Sequence, residues 1–214
     1  MTIKIFNNSF YYLVRPLDNR LLDAANRLDP HPLQKFSWGE TCSVGKERFY
    51  EYEMIPSFLF WAREFMKDLG KFVDMGITDI WKNTYRRGSY QEPHDHPYSD
   101  LSVVIFLDDL IPEDGGRFYF VNRHSSELGR KWISILGQEG EIHYVDYKKG
   151  DMILFPSYMM HGVTPYNISW WEDNIQKKRR TTVAFNLDIS NIGPFKGSMA
   201  EKLYEEAMRI EFNK

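Results

Sequence analysis

From residue 77 onward the chain breaks into short apolar or β-branched runs, at 77–85, 101–107, 117–121, 132–136, 141–145, 151–155 and 181–187. Turn-forming residues separate them: Asp114-Gly115-Gly116, Gly137, Gly150-Asp151 and Pro156. Each run is too short for an ordinary helix and has the composition of a strand. A succession of such strands buries its apolar side chains only by folding one sheet against another. The pattern therefore predicts a mainly β fold with flanking helices, a β-sandwich or jelly roll.

The flanks read differently. Residues 3–14 alternate and are rich in aromatics, which predicts one or two strands. Residues 18–28 suit a short helix, with Asp18 as its cap and Pro30 stopping it. Residues 57–72 suit a stronger helix. Phe58, Trp61, Phe65, Leu69 and Phe72 recur at three- and four-residue spacing, Ser57 is placed to cap it and Gly70 lies near its end. The tail at 198–212 returns to helical spacing, with Leu203, Ala207 and Ile210 on one face. Residues 30–56 carry no clear pattern. At 214 residues the chain reads as a single domain. It comprises a mixed support region at 1–76, a jelly-roll core at 77–190 and a C-terminal helix at 191–214.

Composition excludes several classes. Apolar residues make up 43% of the chain and aromatics 16%, enough to fill a core, so the chain is not disordered. A net charge of -3 argues against a nucleic-acid partner. No apolar run approaches the roughly 20 residues of a membrane span. The start, Met-Thr-Ile-Lys-Ile-Phe, alternates and lacks the apolar stretch of a signal peptide. One cysteine, Cys42, cannot form an intramolecular disulfide, and the expected compartment is the cytoplasm.

The segment Pro93-His94-Asp95-His96-Pro97 points to chemistry. Histidines two apart on a strand share a face, so His94 and His96 can bind one metal ion while Asp95 points away. A local backbone twist would bring Asp95 in instead. The best third ligand is His161, expected to open a strand after a bend at Pro156. Three protein ligands leave positions open on an octahedral ion for a chelating cosubstrate and O2. His31, His124 and His143 have no comparable context.

A second feature is Arg180-Thr181-Thr182-Val183-Ala184-Phe185-Asn186. On a strand, Arg180, Thr182, Ala184 and Asn186 share one face, and Val183 and Phe185 the other. An arginine pointing into a barrel needs an anion, and a ligand carboxylate suits its planar fork, with the Thr182 hydroxyl beside it. The competing interpretation is a solvated basic run, Lys177-Lys178-Arg179-Arg180. Trp81, Asn83 and Tyr85 alternate onto one face just before the histidine pair, where Asn83 and Tyr85 are placed to donate hydrogen bonds to a bound oxyacid. Residues 167–176 exceed a tight hairpin and carry Trp170-Trp171, which suits a lid or contact loop.

Taken in order, the motifs resemble a family. Asn83-x-Tyr85-x-x-Gly88, His94-x-His96, Ser102-Val-Val-Ile-Phe-Leu, Gly115-Gly116-x-x-x-Phe120, Gly150-Asp-Met-Ile-Leu-Phe155-Pro156-Ser157, His161 and Arg180-x-Thr182 resemble the Fe(II)- and 2-oxoglutarate-dependent oxygenase superfamily. Within it, the chain is similar to the prolyl-4-hydroxylase-like branch, which includes bacterial and phage oxygenases. The resemblance covers roughly residues 77 to 190. It implies a double-stranded β-helix, a cupin-like jelly roll, and an HxD…H metal triad, to which His94 and His161 correspond. It also implies that Arg180 and Thr182 hold the far carboxylate of 2-oxoglutarate and that Tyr85 contacts the cosubstrate. His96 departs from the pattern by standing where the family's aspartate would be. The implied activity is hydroxylation of a C–H bond with release of succinate and CO2, using Fe(II), 2-oxoglutarate and O2, with ascorbate as reductant. The substrate, a small molecule or a peptidyl residue, is not specified, and a homodimer is left open. The alternatives are a three-histidine dioxygenase that does not use 2-oxoglutarate, cupin-like, or a non-catalytic jelly-roll binding protein.

Overall fold

The architecture was obtained as a computed structural model. It describes residues 2–6, 9–15, 19–27, 36–38, 42–48, 55–121 and 142–194. In chain order the elements are β1 (Thr2–Phe6), β2 (Ser9–Val14), α1 (Asn19–Arg27), β3 (Phe36–Trp38), β4 (Cys42–Arg48), α2 (Ile55–Asp68), β5 (Lys71–Tyr85), β6 (Gln91–His94) and β7 (Leu101–Phe106). A 3-10 turn (Pro112–Asp114) leads to β8 (Phe118–Val121), β9 (Ile142–Tyr144), β10 (Met152–Pro156), β11 (His161–Val163), α3 (Trp170–Asn174) and β12 (Arg180–Pro194). The strands form an eight-stranded sheet, β1-β2-β10-β7-β12-β5-β4-β3, and a four-stranded sheet, β6-β11-β8-β9. The two sheets are the expected double-stranded β-helix.

The centre of the large sheet is buried on both faces. Strand β7 shows this: all six of its residues are buried. Val103 and Ile105 join Tyr12, Phe65, Val183, Phe185 and Leu187 in a core between the sheet and the helices. Val104 and Phe106 point the other way, joining Trp81, Tyr85, Phe118, Phe120, Phe155 and Ala184 in a second core between the sheets. Period-2 alternation thus sends successive residues of one strand into different cores. Helix α2 covers the outer face through Ala62, Phe65 and Met66. Burying the Phe65 ring contributes about 1.5–3 kcal/mol.

Several boundaries differ from the sequence pattern. Helix α2 starts at Ile55, so Ser57 lies inside its first turn and does not precede it. The helix ends at Asp68 because Gly70 takes a left-handed conformation, φ 71°. Residues from Lys71 onward then pair with β12, which makes position 72 part of a strand. Strands β5 and β12 are each 15 residues long, more than twice a usual strand. Register shifts between Asn186 and Leu187 and between Ile189 and Asn191 let this ribbon bend. The patternless stretch at 30–56 contributes β3 and β4 at the sheet edge. The strand expected at 132–136 and the helix expected at 198–212 lie outside the described residues. So do Asp18 and Pro30, the expected cap and stop of α1. Among the described residues no helix is long and apolar enough to cross a membrane.

Candidate metal and cosubstrate site

His94 ends β6 and His161 opens β11, and the two are direct partners across the antiparallel ladder. His96 does not share the strand with His94, contrary to the alternation argument. It lies past the end of β6, in the loop that follows. The loop is tied to the turn after β10: the His96 N–H donates to the Ser157 carbonyl at 2.9 Å, and the Ser157 N–H to the Asp100 carbonyl at 3.0 Å. A turn, and not pleat periodicity, brings the His96 ring round. The ring of His94 is centred 4.4 Å from that of His161, and His96 is 5.2 Å from each.

The ligating atoms of the three imidazoles lie within 4.8 Å of one another, and Asp95 is not part of the group. With metal–imidazole bonds of about 2.1 Å, two nitrogens on one ion are at most about 4.2 Å apart, so small ring rotations complete the site. The donor set fits a first-row metal with open positions. Two of the rings are already oriented. His94 Nδ1 lies 2.8 Å from the Glu92 carbonyl, and His161 Nδ1 lies 2.8 Å from the Met159 carbonyl. A carbonyl only accepts, so both rings carry hydrogen on Nδ1 and keep the Nε2 lone pair available for a metal ion. His161 is 4% exposed and packed between Phe118 and Phe155. Trp81 stacks on His96 at 5.8 Å.

The other end of the site is built on the β5–β12 ladder, where Arg180 faces Tyr85 and Thr182 faces Asn83. All four side chains are buried. Arg180 Nε donates to the Tyr147 hydroxyl at 2.9 Å, and the guanidinium carbon sits 4.6 Å from the centre of the Tyr85 ring. Burial opposes the Arg180 charge, but Tyr147 and Tyr85 beside it hold its pKa above the ordinary arginine value. Its Nη1 and Nη2 are buried with no hydrogen-bond partner. Asp108, the nearby carboxylate, is engaged elsewhere and accepts from the Thr181 N–H at 2.6 Å; burial raises its pKa. A buried guanidinium with open donors is costly unless an anion meets it. Asn83 Nδ2 donates to Thr182 Oγ1 at 3.2 Å, which leaves the Thr182 hydroxyl hydrogen for that anion. The Tyr85 hydroxyl, expected to face the cosubstrate, donates to Gln91 Oε1 at 3.0 Å. Tyr85 thus meets Arg180 through its ring and spends its hydroxyl hydrogen on Gln91.

One cleft joins the two ends, lined by the three histidines together with Asn83, Tyr85, Arg180 and Thr182. Gln91 also lines it, and Tyr147 supports Arg180 from a loop; neither residue belonged to a motif. Gly116 explains part of the Gly115-Gly116 pair: at φ 64°, a Cβ there would lie 2.9 Å from Arg180 Cδ. A Cβ on Gly115 would collide with the Pro165 carbonyl oxygen. The insert at 167–176 carries α3, capped by Ser169 through a reciprocal pair with Glu172. Lys178 bridges Asp114 and Glu172 at 2.7 Å each, and this bonding pulls the Glu172 pKa down to about 2. Trp170 and Trp171 are more than half exposed. His143 lies away from the cluster, 3.2 Å from the Tyr11 hydroxyl; His31 and His124 are outside the described residues.

The profile of the family described as Putative 2OG-Fe(II) oxygenase matches residues 79–186, just over half of the chain. No curated protein sequence matches. Solved structures share the fold at low identity. An oxidoreductase of the 2OG-Fe(II) oxygenase family from Burkholderia pseudomallei is 17% identical with a TM-score of 0.53, over 84% of this chain and 81% of that one. A viral collagen prolyl hydroxylase from Paramecium Bursaria Chlorella virus-1, in complex with 2-oxoglutarate, is 14% identical with a TM-score of 0.52, over 85% and 96%. A Pseudomonas putida prolyl-4-hydroxylase is 16% identical with a TM-score of 0.51, over 85% and 93%. The motifs, the double-stranded β-helix and the matched profile agree: this chain belongs to the family of Fe(II)- and 2-oxoglutarate-dependent oxygenases.

Proposed function

We propose that the chain hydroxylates a C–H bond of a small-molecule or peptidyl substrate, with His94, His96 and His161 as the ligands of Fe(II) and with Arg180 and Thr182 as the anchor of 2-oxoglutarate. The observation that carries this reading is the pair of buried, unpartnered Arg180 nitrogens lining the same cleft as the three histidines. A dioxygenase that makes no use of 2-oxoglutarate would need a carboxylate on its own substrate to meet this guanidinium. When bound, the iron and cosubstrate supply the oxidising chemistry, in which O2 is consumed and succinate and CO2 are released.

The protein's part is to bind, orient and dry the site. Arg180 grips the far carboxylate by its fork, Thr182 donates beside it, and Asn83 aligns Thr182. Trp81, Phe118 and Phe155 wall the cleft with apolar surface and exclude water. With imidazole in place of aspartate, the metal site carries one more positive charge, which raises the reduction potential of the iron. The reading places the enzyme in the reducing cytoplasm, where Cys42 and Fe(II) both stay reduced.

The test is succinate release with Fe(II), 2-oxoglutarate and ascorbate, beside anaerobic binding of 2-oxoglutarate. Wild type is expected to show slow uncoupled turnover that His161→Ala and Arg180→Met abolish. Failure of wild type to bind metal would defeat the proposal.

A further inference from the structure

The third histidine differs from the other two in how its outer nitrogen is held. His94 and His161 each present Nδ1 to a backbone carbonyl two residues earlier. His96 presents Nδ1 to a side-chain amide, 2.8 Å from Asn186 Nδ2. Asn186 is 8% exposed and its other amide atom, Oδ1, lies 2.9 Å from Ser102 Oγ. Ser102 Oγ lies 2.8 Å from Ser157 Oγ, and both serines are buried. The carbonyl of the same Ser157 accepts the backbone N–H of His96. A closed polar chain therefore runs from the His96 ring through Asn186, Ser102 and Ser157 back to the His96 backbone.

The direction of this chain decides whether His96 can bind a metal. With amide nitrogen against the ring, the amide donates to Nδ1. The neutral ring then carries its hydrogen on Nε2, the atom aimed at the other two imidazoles, and has no lone pair there. With the amide turned over, Oδ1 accepts from Nδ1–H and the Nε2 lone pair is released. The amide nitrogen then donates to Ser102, and the Ser102 hydroxyl turns toward Ser157. Every heavy atom keeps its position, because amide oxygen and nitrogen exchange places and hydroxyl hydrogens rotate.

We propose that Asn186 is the positioning residue of the metal site: its side-chain oxygen accepts the Nδ1–H of His96 in the metal-loaded protein, and the amide turn, relayed through Ser102 and Ser157, sets the His96 tautomer. The proposal rests on the three-histidine site. A backbone carbonyl cannot turn over, so His94 and His161 are permanently poised. Asn186 is the adjustable support of the one ligand that replaces the family's carboxylate. Its distance of 90 residues from His96 ties closure of β12 to assembly of the metal site.

Anaerobic titration with Co(II) alone, read by its visible absorption, tests this on wild type, Asn186→Leu, Asn186→Asp and His161→Ala. Thermal unfolding of the metal-free variants is measured alongside. Loss of an outer-shell partner weakens metal binding by about 10–100-fold, and that loss is expected for Asn186→Leu. Asn186→Asp keeps an acceptor oxygen and is expected to bind within a few-fold of wild type, even if it is the less stable of the two. Nitrogen-15 correlation spectra of the Zn(II)-loaded wild type are expected to show His96 protonated on Nδ1. The Asn186 role is overturned if Asn186→Leu binds as wild type does while His161→Ala is weak, if Asn186→Asp is as weak as Asn186→Leu, or if His96 Nδ1 carries no proton. Co(II) binding to His161→Ala as tight as to wild type would overturn the three-histidine site and this role with it.

Discussion

Arg180 lies opposite Tyr85 in the β5–β12 ladder, with its guanidinium carbon 4.6 Å from the centre of the tyrosine ring. The ring supports the cation while Tyr147 takes Nε, so the two outer nitrogens are presented together. Arg180→Met removes both donors and keeps the stem. Affinity for 2-oxoglutarate is expected to fall by at least about thirtyfold, from the loss of two hydrogen bonds to charge. The cosubstrate-free variant is expected to melt at the wild-type temperature or a few degrees higher, because an unmatched buried charge is gone. Calorimetric titration and thermal melts check both halves. A large drop in melting temperature would show that Arg180 serves the fold and not the ligand.

A metal held by His94, His96 and His161 would join β6, its following loop and β11, and so would bind the folded state alone. At a hundred times its dissociation constant, Co(II) is expected to stabilise wild type by about 2.7 kcal/mol, which is a rise of roughly 5–10 °C in melting temperature for a chain of this size. His161→Ala is expected to show no such rise. An equal rise in the variant would place the ion elsewhere.

Restoring the carboxylate offers a third check. His96→Asp lowers the charge of the metal site by one unit. It is expected to retain metal and to shift the Fe(III)/Fe(II) potential downward, as read by an anaerobic redox titration. An unchanged or higher potential would argue that residue 96 does not touch the iron.

Gly116 connects backbone conformation to the ligand. Gly116→Ala faces a left-handed backbone and a close contact with Arg180 Cδ. The expected cost is about 1–3 kcal/mol of stability, with weaker 2-oxoglutarate binding and unchanged metal affinity. Parallel Co(II) and 2-oxoglutarate titrations separate these effects, and a matched loss of both would point to global damage.

Glu172 reports on the insert. Its folded pKa, about 2, lies below the ordinary value of 4.5, mainly through bonding to Lys178 and Ser169. A depressed acid stabilises the fold above its unfolded pKa and loses that contribution as pH falls through the folded value. The stability difference between wild type and Glu172→Gln is expected to be constant above about pH 5 and to shrink between pH 4.5 and 2. Melts across that range decide it, and a difference that grows in acid would refute the assignment.

The sequence by itself determined the strand-rich body, the identity of the three histidines and the shared face of Arg180, Thr182 and Asn186. These are local properties: short runs, turn residues and period-2 alternation act within one element. It misassigned position 72, because a single left-handed glycine can end a helix that spacing alone would extend. It placed His96 on a strand, where a turn anchored to Ser157 actually carries it. Only the tertiary structure decided that Tyr147 would take Arg180 Nε, that the Tyr85 hydroxyl would turn to Gln91, that Gly116 would brush Arg180 and that Asn186 would meet His96. Apart from the Tyr85–Gln91 pair, each joins residues dozens of positions apart. Such pairings are set by sheet order and register, which no window of the chain contains.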